Sequence, residues 1–145
     1  MEYGRIRCVR EEAFVNRSEF EKIAADTYGE TAERPFADDQ SIVVFRHSGN
    51  RKWFAVIMTV PKIKLGILGE GTVDIVNLKC DEGVSYSVLQ EEGIYPAYHM
   101  NKRHWISVLL DGSVDDDTVL WLLDISHILT STKIKPNKIK DPTDF

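Results

Sequence analysis

The chain has 145 residues, a length typical of one domain, and its 18 basic and 23 acidic side chains leave a formal net charge of −5. Its two cysteines, Cys8 and Cys80, lie far apart and follow no secretory leader, which argues against a disulfide framework and favours the cytoplasm. The longest nearly apolar stretch, 53–60, is far shorter than the roughly 20 residues of a membrane-spanning helix, so we expect no membrane span.

Basic and acidic residues are segregated along the chain. Residues 46–79 carry 6 basic and 2 acidic groups, and residues 95–110 carry 2 basic groups and no acidic one. Residues 80–94 and 111–132 carry 4 and 5 acidic groups and no lysine or arginine. The acidic average argues against a nucleic-acid partner, but the positive segments coincide with predicted strands and would allow one basic face. Ordinary solubility patterning is an equally good explanation of the alternation.

The first predicted element is an α-helix over 19–28. Residues 1–17 have weak helical spacing and are treated as an N-terminal extension, packed or partly ordered. Ser18 is the predicted N-cap, Glu21 completes a capping box, and Gly29 ends the helix. Residues 30–39 follow as a loop.

Strand patterns begin at Ser41. Apolar residues 42–45, the turn-prone sequence 48–50 and the strand 52–60 predict a β-hairpin. The second strand is apolar on both faces and ends at Pro61, so it is predicted to be central and covered at least in part on both sides. The glycine-containing segment 62–71 is predicted to be a mobile loop or hairpin tip, and a third strand follows over 72–78.

Two further helices and a strand complete the pattern. A helix is predicted after Asp81 through about residue 92, closed by Gly93, and a fourth strand over 104–110. Ser113 is predicted to cap a last, strongly apolar helix that packs on the sheet, and 133–145 is predicted to be a flexible tail. The elements indicate a single α+β domain with an antiparallel sheet of four or more strands against helices.

Histidine and cysteine residues supply no recognisable catalytic or metal motif. Cys80, His47, His99 and His104 lack the close pairs typical of zinc sites, so we expect no metal and no cofactor. A Cys80 nucleophile with His99 as its base is conceivable, but a buried structural cysteine is far commoner. We therefore expect a protein that binds rather than an enzyme.

The run YHMNKRHW at 98–105 is the most distinctive chemistry in the chain. It interleaves aromatic, polar and basic residues without an acidic one, a composition suited to holding an anion or stacking on a base. The alternative interpretation makes Tyr98, Met100 and Trp105 core residues, with His99 and Asn101 bonded to loop backbone.

This run, together with NLKCD at 77–81 and DGS at 111–113, resembles the signature of the MmcQ/YjbR-like family. Segments 45–47, 52–55 and 60–62 also match, and the resemblance extends from about residue 18 to 132, which we take as the domain. The resemblance implies a fold similar to that of the frataxin-like CyaY proteins and a DNA-binding, double-wing surface.

Double-stranded DNA is the partner that the resemblance implies, bound weakly and in a salt-sensitive way by a basic face of the sheet and its hairpins. The phosphate contacts would be Arg51, Lys52, Lys62, Lys64, Lys79, Lys102 and Arg103. The candidates for base or sugar contact are Asn77, His99, Asn101 and Trp105. The rival hypothesis is a protein-interaction or small-ligand module, in which the 98–105 run is a scaffold. Nothing in the sequence determines the oligomeric state, and a monomer is the simpler expectation.

Overall fold

A computed structural model describes residues 14–131. The helices and strands are α1 (Arg17–Tyr28), β1 (Val43–Arg46), β2 (Trp53–Pro61), a 3-10 turn (Lys62–Leu65), β3 (Thr72–Lys79), α2 (Glu82–Val88), β4 (Ile94–Pro96), β5 (Trp105–Leu109) and α3 (Asp116–Thr130). The five strands form one sheet in the order β1-β2-β3-β5-β4, and every neighbouring pair is antiparallel. The predicted α+β fold is confirmed.

Helix α1 begins two residues earlier than predicted. Asn16, not Ser18, is the N-cap, because its side-chain oxygen accepts a hydrogen bond from the backbone N–H of Glu19 at 2.9 Å. Gly29 ends the helix as predicted. Its φ of 68° is left-handed, and glycine adopts this conformation without the steric cost that a side chain would bring.

The central strand β2 is buried on both faces, as predicted. One face of the sheet packs against α1 and α3 around Phe20, Phe45, Phe54, Leu122 and Leu123, all 0–1% exposed. The other face carries a second apolar cluster that loop side chains cover. Its buried members are Val44, Val56, Met58, Val60, Val73, Ile75 and Leu109. The segment after β2 is more ordered than a simple loop, since it begins with the 3-10 turn.

The region after β3 differs most from the prediction. Helix α2 ends at Val88, several residues before the predicted end, and a short strand, β4, was not predicted. Strand β4 has three residues and ends in Pro96, which suits its position at the sheet edge. Gly93 lies between them with φ of 90°, and a Cβ there would come within 2.6 Å of Val114, so the close packing requires glycine.

Helix α3 is capped differently from the prediction. Asp115 occupies the N-cap position, whereas Ser113 donates both its backbone N–H and its hydroxyl to the carboxylate of Asp111, at 2.9 and 2.5 Å. Ser113 therefore stabilises the turn after β5 and not the helix. Asp116 and Asp117 lie in the first turn of α3, where the helix dipole favours negative charge.

The predicted N-terminal extension, apart from residues 14–17, and the predicted flexible tail lie outside the described residues. Val15 packs into the main core at 7% exposure, so the folded unit begins at least three residues before the predicted boundary at 18. Within residues 14–131, none of the helices has the length and apolar character needed to cross a bilayer.

Candidate binding cleft at one end of the sheet

Strands β2 and β3 separate where β2 begins. Their regular pairing starts only at Val56, and Phe54 is an extra residue in the register of β2 against β1. Ser126 of α3 fills the gap, because its hydroxyl donates to the Phe54 carbonyl at 2.7 Å and accepts from the Lys79 N–H at 2.8 Å. A helix side chain thus replaces a ladder hydrogen bond, and the sheet is open at this end.

The loop between β1 and β2 is fastened to the end of α3. The N–H of His47 donates to the Lys52 carbonyl and the N–H of Arg51 donates to the His47 carbonyl, both at 2.9 Å. The Asn50 side chain donates to the Thr130 carbonyl and accepts from the Lys52 N–H, both at 2.8 Å. These bonds hold Arg51 and Lys52 beside the open end of the sheet.

The 97–104 loop is held by a buried polar pair, Asn77 on β3 and Ser107 on β5. Both residues are 0% exposed, and the Ser107 hydroxyl donates to the Asn77 side-chain oxygen at 2.5 Å. The Asn77 amide donates to the Tyr98 carbonyl and the Tyr98 N–H donates to the Ser107 hydroxyl, each at 2.9 Å. This clamp satisfies both backbone polar groups of Tyr98, and Met100 and Asn101 then reach the space beside β2.

The two loops enclose a cleft of about 410 Å³. It is lined by Arg51, Lys52, Trp53, His99, Met100, Asn101, Trp105 and Thr130. None of these eight described residues is acidic, and two are tryptophans. Lys52 is only 6% exposed and Trp105 only 3%, so both belong to the wall of the cleft and not to its rim.

Backbone strain is concentrated at the same place. Arg51 and His99 have positive φ angles of 67° and 63°, which place them in the left-handed conformation. Among residues 14–131 they are the two residues other than glycine with a positive φ. A left-handed conformation costs such a residue about 1 kcal/mol or more, and it is often found at functional sites. Strained residues from two separate loops therefore meet in one cleft.

Five of the eleven predicted site residues line the cleft, namely Arg51, Lys52, His99, Asn101 and Trp105. Lys79 is their neighbour, with its ammonium nitrogen 6.0 Å from the centre of the Trp105 ring. These six form a continuous candidate site.

The other predicted residues lie elsewhere. Asn77 is fully buried and engaged in the clamp, so it offers no surface to a ligand. Arg103 forms an ion pair with Glu82 at 3.0 Å, and Lys102 is exposed in the same loop. Lys62 and Lys64 lie beyond the far end of β2, about 26 Å along the strand from the cleft.

Sequence reasoning did not select Trp53, Met100 and Thr130 as site residues. Trp53 follows Lys52 at the start of β2, so an aromatic residue next to a predicted phosphate contact was the available signal. Met100 was considered only as a core residue. Thr130 comes from the last turn of α3, and nothing in the sequence connects it with the loops that it meets.

Cys80 is a free thiol, 1% exposed, just before the N-cap of α2. Burial, reinforced by the charge of Asp81, raises the pKa of the Cys80 thiol to about 11. The thiol therefore stays protonated near neutral pH, which suits the structural cysteine interpretation better than a nucleophile.

Two histidines with tilted rings in contact lie behind the cleft, between the β1–β2 loop and α3. The rings of His47 and His127 are 4.3 Å apart between centroids, and His127 stacks on Tyr28 at 4.0 Å. His47 Nε2 is 2.8 Å from the hydroxyl of Thr130, which lines the cleft. Burial lowers the pKa of both imidazoles, and the proximity of His47 lowers that of His127 further.

Stability is expected to fall as the pH decreases below about 7, because the unfolded histidines, with a pKa of about 6.5, take up protons that the folded pair resists. Above pH 7 both states are neutral at these positions and the effect disappears. Urea unfolding at several pH values would measure it, and the double variant His47→Gln/His127→Gln should show a flatter profile. An equal slope in the variant would contradict the expectation.

The fold and the cleft define a class of protein, a small α+β domain with a basic and aromatic cleft between two loops at one end of an antiparallel sheet. The chain belongs to the YjbR family, whose model matches residues 25–129. The predicted family is thereby confirmed.

One relative matches over nearly its whole length and a second over a shorter segment. The chain is 35% identical over 116 residues to the uncharacterized protein YyaQ of Bacillus subtilis, covering 80% of this chain and 98% of that one. It is 42% identical over 38 residues to the uncharacterized protein YjbR of Escherichia coli K12, covering 26% of this chain and 32% of that one.

Solved structures agree with the fold. A crystal structure of a Pseudomonas syringae protein has a TM-score of 0.75 at 40% identity, covering 77% of this chain and 95% of that one. A crystal structure of the Deinococcus radiodurans protein DR2400 has a TM-score of 0.63 at 22% identity, covering 85% and 84%. The second similarity supports the fold alone.

Proposed function

We propose that this chain is a binding module that holds one nucleotide unit of a single-stranded nucleic acid in the cleft. The observation that carries the proposal is the convergence of Arg51 and Lys52 with Trp53 and Trp105 in one space that no described acidic residue lines. Proteins that bind single strands combine basic groups for the phosphates with aromatic rings on which bases stack. His99 and Asn101 would add polar contacts to the sugar or the base.

The size of the cleft favours an unpaired strand over the duplex that the family resemblance implies. A volume of about 410 Å³ suits a small-molecule ligand of nucleotide size. A B-form duplex, whose major groove alone is about 12 Å wide, cannot enter it. A duplex would have to lie across a wider basic face. Lys62 and Lys64 do not widen the basic surface at the cleft, because they are at the other end of β2. In this proposal the chain acts as a monomer in the cytoplasm, and it binds its ligand without catalysing a reaction.

Binding is tested by fluorescence anisotropy with a labelled oligothymidine, a duplex of the same length and a free mononucleotide, at low and moderate salt. We expect the single strand to bind best and to weaken as salt rises, because counterions are released from its phosphates. Arg51→Glu should weaken binding about tenfold or more, and so should Trp53→Ala through lost stacking. Lys64→Glu is the matched control, since it makes the same charge change on an exposed residue outside the cleft.

Several outcomes separate the alternatives. No binding of the single strand at low salt would overturn the proposal. Tighter binding of the duplex, with Lys64→Glu as damaging as Arg51→Glu, would support the double-wing hypothesis instead. Equal affinity for the mononucleotide and the strand would identify a small-molecule site with the same phosphate and base chemistry.

A further inference from the structure

The solvent-facing side of α3 alternates acidic and apolar side chains. Asp117, Trp121, Asp124 and Ile128 are spaced four, three and four residues apart, which places them in one row along the helix. All four are exposed, and the large apolar members are 51% (Trp121) and 60% (Ile128) exposed. We refer to this row as the α3 stripe.

A groove of about 410 Å³ runs beside the α3 stripe, between α2 and α3. Val84, Val88 and Glu91 contribute to the α2 side, and Thr118 and Trp121 contribute to the α3 side. Trp121 therefore belongs both to the stripe and to the wall of the groove. The two features form one surface on which apolar side chains alternate with polar and acidic ones.

The charge of this surface is of one sign. Residues 80–94 and 111–131, which include both helices, contain no lysine or arginine. Arg103, a cation from a neighbouring loop, is paired with Glu82 at 3.0 Å. Asp124 accepts a hydrogen bond from the Tyr28 hydroxyl at 2.9 Å, and its helix carries no lysine or arginine.

A second copy of this chain is a poor occupant of the α3 stripe. In a two-fold interface each partner would present the same acidic row, so Asp117 and Asp124 would lose water against apolar or acidic groups. A carboxylate that is desolvated without a cation is costly. The surface instead complements a partner that supplies both apolar and basic side chains.

We propose that the α3 stripe docks a cationic amphipathic helix of another protein. Its apolar side chains pack on Trp121 and Ile128 and enter the groove beside α2, while its lysines or arginines pair with Asp117 and Asp124. Amphipathic helices are commonly recognised in this way, through side chains three and four residues apart on successive turns of the bound helix. This surface is separate from the cleft and does not depend on the proposed nucleic-acid binding.

The test uses the full chain and a fluorescently labelled helical peptide of lysine, leucine and alanine, with lysine and leucine on one face. We expect salt-sensitive binding that is weakened about tenfold or more by Trp121→Ala, which removes the central aromatic anchor. Asp117→Lys, a second variant on the surface, should weaken it by a similar factor through charge reversal. Tyr86→Ala is the matched control, because Tyr86 is an aromatic residue of α2 that is 76% exposed and lies outside the groove lining.

A scrambled peptide of the same composition distinguishes recognition from general charge attraction. The proposal requires weaker binding of the scrambled peptide and an unchanged affinity in the Tyr86→Ala variant. Equal affinity for the two peptides, or binding that survives both Trp121→Ala and Asp117→Lys, would overturn it. Circular dichroism of each variant establishes that the loss of binding is not a loss of folding.

Discussion

Replacement of Trp105 with alanine is expected to lower the free energy of unfolding by about 3–5 kcal/mol, as for other buried tryptophans. Trp105 begins β5, is 3% exposed and packs where the sheet opens, with Lys79 opposite it in the register. The substitution removes the largest side chain of the cleft wall, and the neighbouring strands are held by backbone pairing and cannot collapse into the space. Urea unfolding followed by circular dichroism measures the change.

The three tryptophans provide their own controls, because their exposure increases from Trp105 to Trp53 to Trp121. Trp121→Ala should change stability by no more than about 0.5 kcal/mol, and Trp53→Ala should lie between the two. A Trp105→Ala protein as stable as Trp121→Ala would show that the cleft wall does not support the fold. Trp105→Phe keeps an aromatic ring in the wall and is expected to destabilise less than Trp105→Ala, so its ligand affinity separates the contact of the ring from its structural role.

Loss of the Asn77 side chain is expected to destabilise the protein by about 2–4 kcal/mol. The substitution Asn77→Ala leaves the Tyr98 carbonyl and the Ser107 hydroxyl without their buried partner. The 97–104 loop loses its anchor to β3, so His99 and Asn101 leave their positions in the cleft. Ligand binding should therefore fall even at temperatures where the variant remains folded.

A double-variant cycle tests the clamp as a unit. Ser107→Ala should be destabilising by itself, and Asn77→Ala/Ser107→Ala should cost less than the sum of the single variants, because they break one network. Gln40→Ala is the control, since Gln40 is an exposed amide bonded only to loop backbone. The clamp would be contradicted if the losses of stability in the two single variants were additive. It would also be contradicted if Asn77→Ala lost no more stability than Gln40→Ala.

Local sequence patterns predicted the main elements because they depend on near neighbours. The two-sided apolar run of β2 indicated a central strand, and Gly29 indicated the end of α1. The caps were less certain, since Asn16 and Ser18 are both good N-cap residues and only the actual path of the chain selects one. Strand β4 was not predicted, because three residues that end in proline form a strand only when a neighbouring strand, here β5, is available for pairing.

The candidate site was predicted in part, since its residues come from separate segments of the chain. Aromatic and basic composition indicated the 98–105 run and the Arg51–Lys52 pair, and the structure brings both to one cleft. The same composition grouped Lys62 and Lys64 with them, although a nine-residue strand separates these lysines from the cleft. Charge patterning identifies basic segments but not the distance between them.

Patterns along the chain were enough to predict the family, the α+β class and the principal strands and helices, and they pointed to the 98–105 run as a candidate site. These depend on periodicity, on turn residues and on motifs that are contiguous in the chain. The clamp formed by Asn77, the bridge from Ser126 between β2 and β3, and the place of Thr130 in the cleft became visible in the folded protein alone. These contacts could not be predicted, because strand order, the irregular register at Phe54 and the docking of α3 bring together residues that are distant in the chain.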